Sequence, residues 1–421
     1  MNSTQAGPDD IESRYAWWRL AVSLALMTIG GAGMYGVTVV LPQIQKEFSA
    51  GRGDASLPYT LTMIGFGIGG VMMGRMADRF GVIVPVMIGA LGLGVGFISA
   101  GLAPSLLVFD LLQGLFIGLL GTSATFAPLV ADTSKWFDRR RGIALAVCMS
   151  GNYVGGAIWP PVMQFFIEGW GWRATYVGVG VFCTLSMLPL AFILRRRPPP
   201  QKEDALAAAS MNSAGSARPM GLNPALVQFL LCVAGVSCCV AMSMPQVHIV
   251  AYCSDLGFGA ARGAEMLSLM LGLGVVSRLV SGWISDRIGG LRTLLLGSIL
   301  QGIALLLFLP YDGLVSLYVV SGMFGLFQGG IVPSYALIVR QHFPPAQAGA
   351  RVGMVLMATL FGMALGGWMS GAVFDLTGSY RAAFINGIAW NLLNVGIVSF
   401  LLWHSTRSTR AGPSAYSSAR A

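Results

Sequence analysis

The sequence predicts an all-α integral membrane protein, with twelve transmembrane helices in two pseudo-symmetric six-helix bundles. Three observations carry this. Hydrophobic residues make up 55% of the 421 residues and charged residues 10%, where a soluble chain carries about 25% charge. The apolar residues fall into runs long enough to cross a bilayer, which takes about 20 residues each. A short motif around Asp78 returns around Asp286, 208 residues later.

The runs lie at 19–41, 57–76, 82–102, 106–130, 141–167, 174–194, 223–249, 264–284, 291–309, 315–340, 348–374 and 381–403. Residues 1–16 form a polar tail with Asp9, Asp10 and Glu12. The first run is long and lacks a cleavage-like end, so it reads as a retained helix and not a signal peptide. The first six runs give a bundle over 17–196. Residues 197–221 follow, with Pro198-Pro199-Pro200 and an Ala/Ser-rich stretch, and read as a flexible cytoplasmic linker. A second bundle spans 222–404, and 405–421 form a tail.

An even number of crossings puts both termini on one side. With that side cytoplasmic, twenty of the 26 Lys and Arg lie inside, among them Arg75, Arg79, Lys135, Arg140, Arg197, Arg292 and Arg407. Five lie outside: Lys46, Arg52, Arg173, Arg262 and Arg381. This is the positive-inside pattern, and it predicts an inner (plasma) membrane protein. It also accounts for the net charge of +9 without nucleic acid. The six cysteines have no metal-site spacing, and neither disulfide, metal nor cofactor is expected. Gly65-x-Gly67-x-x-Gly70 matches a dinucleotide fingerprint on paper, but no strand precedes it. With no HExxH and no GxSxG, an enzyme is not expected.

The halves repeat. Gly74-Arg-Met-Ala-Asp78-Arg79-Phe80-Gly81 matches Gly282-Trp-Ile-Ser-Asp286-Arg287-Ile288-Gly289. Gly171-Trp172-Arg173-Ala174 resembles Ser379-Tyr380-Arg381-Ala382, and Leu41-Pro42-Gln43-Ile44 resembles Met244-Pro245-Gln246-Val247. Parallel halves of this kind place a ligand site at the midplane between them. The remaining cation, Arg278, lies inside run 8, eight residues before Asp286 and so about 12 Å from that end. A cation there costs about 2.5–3.5 kcal/mol on insertion scales and meets an anion in a cavity. The repeat pairs Arg278 with Gly70, so the charge exists in one half only, as suits an asymmetric ligand. Arg278 is the expected contact for a substrate carboxylate.

The Asp78 and Asp286 motifs resemble the signature loops of the major facilitator superfamily, and the resemblance covers essentially residues 17–404. It implies rocking of two bundles about a midplane site. Gly74, Asp78, Arg79, Gly282, Asp286 and Arg287 would be gating-loop residues that latch the bundles. Val82-Ile83 replace the usual basic pair after the first motif. Within the superfamily the chain resembles the monocarboxylate and oxalate/formate porters. The resemblance rests on Gly33-Met-Tyr35-Gly36-Val37, Trp136-Phe137 with Arg140-Arg141-Gly142, Pro245 with His248 through Asp255-Leu256-Gly257, and Ser277-Arg278. It implies that Arg278 binds the carboxylate and that Asp255 carries a proton. Oxalate exchangers have a second buried cation, a lysine in helix 11; here Thr359 stands near that position. Vertebrate members carry an aspartate one turn before the arginine; here the residue is Gly274.

Other candidates follow from position. His248 sits inside a run with a titration range suited to proton transfer. Tyr35, Gln246 and Tyr335 lie on helices that line the cavity in this superfamily, and are expected substrate-binding residues. Tyr153 and Gln328 are polar groups expected to bridge helices. Asp110 is a candidate second proton site, though it and Glu265 read first as wet acids near run ends, and Asp132 reads as a local partner of Lys135. The expected activity is proton-coupled symport of a small organic monocarboxylate by a monomeric unit in the lipid bilayer. Anion exchange of the oxalate/formate type, or a transport-like receptor, are the alternatives.

Overall fold

A computed structural model describes residues 11–198 and 219–410. The predicted tails at 1–16 and 405–421 and the linker at 197–221 therefore lie largely outside the described residues. Among the described residues, eleven helical runs are long and apolar enough to span a membrane. One of them, Arg141–Ile193, has 53 residues, about 80 Å at the α-helical rise and far beyond one crossing. It breaks at Gly171, where φ is 79° and ψ 162°. Only glycine adopts that conformation freely, so the run is two crossings and the total is twelve.

In chain order these are α1 (Arg14–Glu47), α2 (Arg52–Phe80), α3 (Ile83–Gly101), α4 (Leu106–Trp136), α5 (141–170), α6 (172–193) and α7 (Pro224–Asp255). They continue as α8 (Ala260–Ile288), α9 (Gly290–Leu307), α10 (Leu314–His342), α11 (Pro345–Thr377) and α12 (Tyr380–Arg410). Both signature motifs end their helix on a glycine with φ of 84°, Gly81 and Gly289, so the two halves turn alike. Side chains cap several starts: Ser13 accepts from Ala16 N–H, Ser105 from Val108 N–H, and Asn223 from Ala225 N–H ahead of Pro224. The helices outrun the apolar stretches. α1 starts at Arg14 and not near residue 19, because Arg19 is buried and paired inside the bundle.

Three helices are irregular at mid-depth. α1 bends at Gly31, Gln113–Thr122 of α4 is wound as a π-helix, and α10 breaks at Gly329-Gly330. Inside a bilayer such backbone survives only where protein or a cavity covers it. At α10 the cover is α8: a Cβ on Gly329 would lie 2.3 Å from Gly274 O, and one on Gly330 2.0 Å from Ser281 Cβ.

The two bundles, α1–α6 and α7–α12, meet along α2 with α11, α5 with α8, and α1 with α7. The contact is confined to part of their depth. On α2 it runs from Gly51 and Gly53 against Asp375, through Thr60 bonded to Ala364 O, to Gly67 against Met357 and Leu360. On α5 it runs from Ala157 O, which accepts from Ser268 Oγ, to Met149 O, which accepts from Arg278. Further along, Gly74, Gly142, Gly282, Gly349 and Gly353 meet nothing within 4 Å. The contacts named between the bundles lie toward the face bearing Gly51 and Asp375, here called the closed face; the region beyond Gly67 and Arg278 is here called the cleft, and the face bearing Arg79, Arg140 and Arg287 the basic face.

Candidate functional site

Arg278 stands where α8 leaves α5 and the cleft begins. Its side chain is half-buried. Nη1 donates to Met149 O at 2.9 Å and Nε to Gly329 O at 3.4 Å. The guanidinium lies over the Tyr153 ring, 4.3 Å from its centroid. Among the described residues no carboxylate lies within ion-pair distance of it. Two backbone carbonyls and a ring face orient the group but leave its charge uncompensated. An arginine held this way presents further N–H donors to an incoming anion, and a carboxylate matches them two at a time.

Tyr153 is the site residue the sequence reading undervalued. Its ring fills the space beside Gly274, where a Cβ would sit 2.5 Å from Tyr153 Cε1. The position at which vertebrate porters carry an aspartate is thus occupied by a neighbour's ring. A signal was present: Tyr153 sits among Gly151, Gly155 and Gly156. Gly151 and Gly155 bring α5 against Leu24 and Thr28 of α1, and a Cβ on Gly156 would strike the Tyr35 ring at 2.7 Å.

Tyr35 is 3% exposed and lies within electrostatic reach of Tyr153 and Arg278, so the structure brings it to the site. Gln246 donates to Gln328 Oε1 at 2.9 Å. Gln328 precedes Gly329, which puts Gln246 one residue removed from the Arg278 contacts. Among the described residues, buried Gln328 Nε2, Ser277 Oγ and Tyr59 OH have no partner. Tyr335 is not brought there. Its hydroxyl donates to Asn394 Oδ1 at 2.9 Å, and Asn394 in turn donates to Ser298 Oγ, so it ties α10 to α12 and α9.

The proton candidates lie elsewhere. Asp255 closes α7 and accepts Arg52 Nη2 on both oxygens, at 3.0 and 2.9 Å. Arg278 is 18 residues into α8, about 27 Å along the helix from that end. His248 is fully buried with Nε2 2.8 Å from Gly367 O and its ring 5.8 Å from Tyr380, again toward the closed face. Asp110 is buried, not wet, and its Oδ1 has no partner. Glu265 bonds to Arg262 and to Tyr318 OH instead of standing in water alone.

Asp132 requires correction. Its partner is Arg19 on α1, with Nε to Oδ2 at 2.7 Å and Nη2 to Oδ1 at 2.9 Å. Lys135 turns to Asp78, at 3.5 Å. The i,i+3 expectation failed because Asp132 faces the bundle interior, where only another helix can reach it. The gating-loop residues do not bridge the bundles in this state. Asp78 pairs within its own bundle, Arg79 lies over Phe80 and Arg287 over Trp283, while Gly74, Gly282 and Asp286 are open or exposed.

A family model for the Major Facilitator Superfamily matches residues 22–317 and 275–418. The chain belongs to the Major Facilitator Superfamily. Monocarboxylate transporter 13 of Rattus norvegicus is 26% identical over 82% of this chain and 78% of that protein. Monocarboxylate transporter 11 of Mus musculus is 25% identical over 91% of this chain and 86% of that protein. Among solved structures, a bacterial homologue of the human lysosomal transporter Spinster, inward-facing and occupied, aligns with a TM-score of 0.67. It covers 95% of this chain and 97% of its own at 16% identity, a likeness of fold. The chain is a transporter of this superfamily and not an enzyme, with a fold of membrane-spanning helices.

Proposed function

We propose that this transporter carries a small organic monocarboxylate, in symport with a proton, by rocking residues 17–196 against 222–404. The observation that carries the reading is Arg278: a half-buried arginine at the root of the cleft, oriented by Met149 O, Gly329 O and the Tyr153 ring, with no acid of its own. Relatives named as monocarboxylate transporters support the substrate class. Tyr35 and Gln246 would stand beside the substrate, and Asp255 would take the proton. The basic face, with both termini, would be cytoplasmic in a plasma (inner) membrane, and the working unit one chain. The motif loops around Asp78 and Asp286 would meet only when the cleft closes.

Uptake of labelled pyruvate and lactate into proteoliposomes, with and without an inward acid gradient, tests this. Losing one partner of a hydrogen-bonded charge pair costs about 2–5 kcal/mol, so Arg278→Gln should lower uptake at least thirtyfold. Unchanged uptake by Arg278→Gln ends the proposal. The second reading is anion exchange. It is favoured by one fact: Asp255, the proton candidate, pairs with Arg52 about 27 Å along α8 from Arg278. Exchange of preloaded oxalate or formate without response to the gradient would establish it.

A further inference from the structure

Beside the closed face lies a cavity of about 430 Å³, whose walls include Gln45, Lys46, Ser49, Arg52, Ser254 and Asp255. Two of these are cations. Lys46 is exposed, while the Arg52 side chain is only 6% exposed. The guanidinium is held flat by Phe374 and Tyr380, at 5.0 and 5.7 Å from the ring centroids. Its hydrogen bonding is incomplete: Asp255 takes Nη2 with both oxygens, and Nε is buried without a partner among the described residues. A carboxylate facing the guanidinium edge-on engages two nitrogens at once, which is the stronger arrangement. Asp255 has not reached it. Its own side chain is 37% exposed, so water can receive it when it leaves.

We propose that this cavity is an external capture site for a small carboxylate anion, which displaces Asp255 from Arg52. The arriving anion bridges Nε and Nη2 and draws on the Lys46 ammonium. Displacement removes one of the two polar ties that join the start of α2 to the second bundle, the other being Asp375. The site would therefore couple arrival of an anion to loosening of the closed face. The inference rests on the chain being a carrier of small carboxylates, but not on the role of Arg278.

The test uses the full-length protein in nanodiscs, with Ser49→Cys as a reporter on the cavity wall and pyruvate as the probe. Arg278→Gln is present throughout, to keep the midplane site empty. The rate of labelling by an impermeant maleimide is measured against the parent lacking Ser49→Cys. Pyruvate should slow labelling. Arg52→Lys, which keeps the charge and loses the two-nitrogen edge, should raise the half-protecting concentration about tenfold or more. Lys46→Gln, on the exposed rim where folding is not at stake, should raise it severalfold. Absence of protection in the Arg278→Gln background overturns the proposal, as does protection indifferent to both Arg52→Lys and Lys46→Gln. Protection without any pyruvate uptake by the native chain would leave this site standing and sink the transport reading instead.

Discussion

Asp375→Ala should open the molecule at the face where it is now closed. Asp375 Oδ1 accepts the N–H of Arg52 and Oδ2 that of Gly53, both at 2.7 Å. These are the first two residues of α2, so a carboxylate of one bundle caps a helix of the other. No local side chain can replace it: a Cβ on Gly51 or Gly53 would lie 2.8 or 3.2 Å from Asp375 Oδ2. A helix cap is worth about 0.5–2 kcal/mol. Asp375 is an exposed residue, and solvent screening argues against the larger values quoted for charged hydrogen bonds, so about 1–2 kcal/mol is the working figure. All of it belongs to the closed face, because separated bundles cannot make the contact. Its loss should shift the ratio of the two states about 5–30-fold toward opening at that face. Spin labels at Leu102 and Tyr311, 70% and 50% exposed and in different bundles, would report the separation by pulsed electron resonance. Asp375→Ala should add a longer-distance population, and Asp375→Asn, which keeps one acceptor, a smaller one. An unchanged distance distribution in a well-folded Asp375→Ala protein would refute the reasoning.

Other outcomes follow from particular contacts. Arg19→Gln leaves Asp132 buried without its partner, and should lower stability by about 3–5 kcal/mol, read from thermal unfolding in detergent; Arg19→Leu with Asp132→Leu should recover most of the loss. Tyr153→Leu removes the ring beneath Arg278, a contact worth about 0.5–2 kcal/mol, and should raise the half-saturating pyruvate concentration about 2–30-fold, while Tyr153→Phe, which keeps the ring, should raise it less. Glu12 accepts from Arg140 and Asp138 N–H, chiefly the former, which holds its carboxyl below the ordinary 4.5. Because the folded value is depressed, this clamp on the α4–α5 turn is fully present above pH 4.5 and is lost as pH falls through the lower folded value. Protection of the Asp138 and Arg140 amides, taken relative to their intrinsic exchange rates at each pH, should fall across that acid window, and Glu12→Gln should abolish that change in protection.

The helices and the repeat were legible because each depends on local composition. The bilayer imposes the length of the apolar runs, and the identical turns at Gly81 and Gly289 show the repeat as backbone. The place of Arg278 along α8 was legible for the same reason, being a count of residues along one helix. Its partners were not, since a guanidinium bonded to carbonyls of Met149 and Gly329 leaves no trace in residue type. Charged pairs between distant segments were invisible for a related reason. Nothing near Asp132 announces Arg19, and Arg52 and Asp255 are each ordinary loop-end charges until α2 and α7 are brought together. Tyr335 shows the opposite failure: the right helix was named, but rotation about its axis aims the ring at Asn394.

The departures from pseudo-symmetry are where charged groups cross between the bundles. Glu47 and Asp255 each end the first helix of their half. Glu47 stays inside its bundle, accepting Trp172 Nε1 at 2.6 Å and Arg173 Nη2 at 2.7 Å. Asp255 instead reaches Arg52 of the other half. Arg278 likewise has Gly70 as its counterpart, and its donors cross to α5 at Met149. A contact within one half can be duplicated with the half and moves with it as a rigid body. A contact between halves must break or reform whenever they rock, so its energy enters the difference between conformations directly. Residues that set that difference need not obey the repeat: Thr60 to Ala364 O and Ser268 to Ala157 O cross at matching positions of the two halves, whereas the charged ties through Arg52, Asp255 and Asp375 are not duplicated. The closed face thus carries its ties through Arg52, Asp255 and Asp375, and the cleft its charge through Arg278. Charge that does not follow the repeat stands both at the closed face and at the root of the cleft.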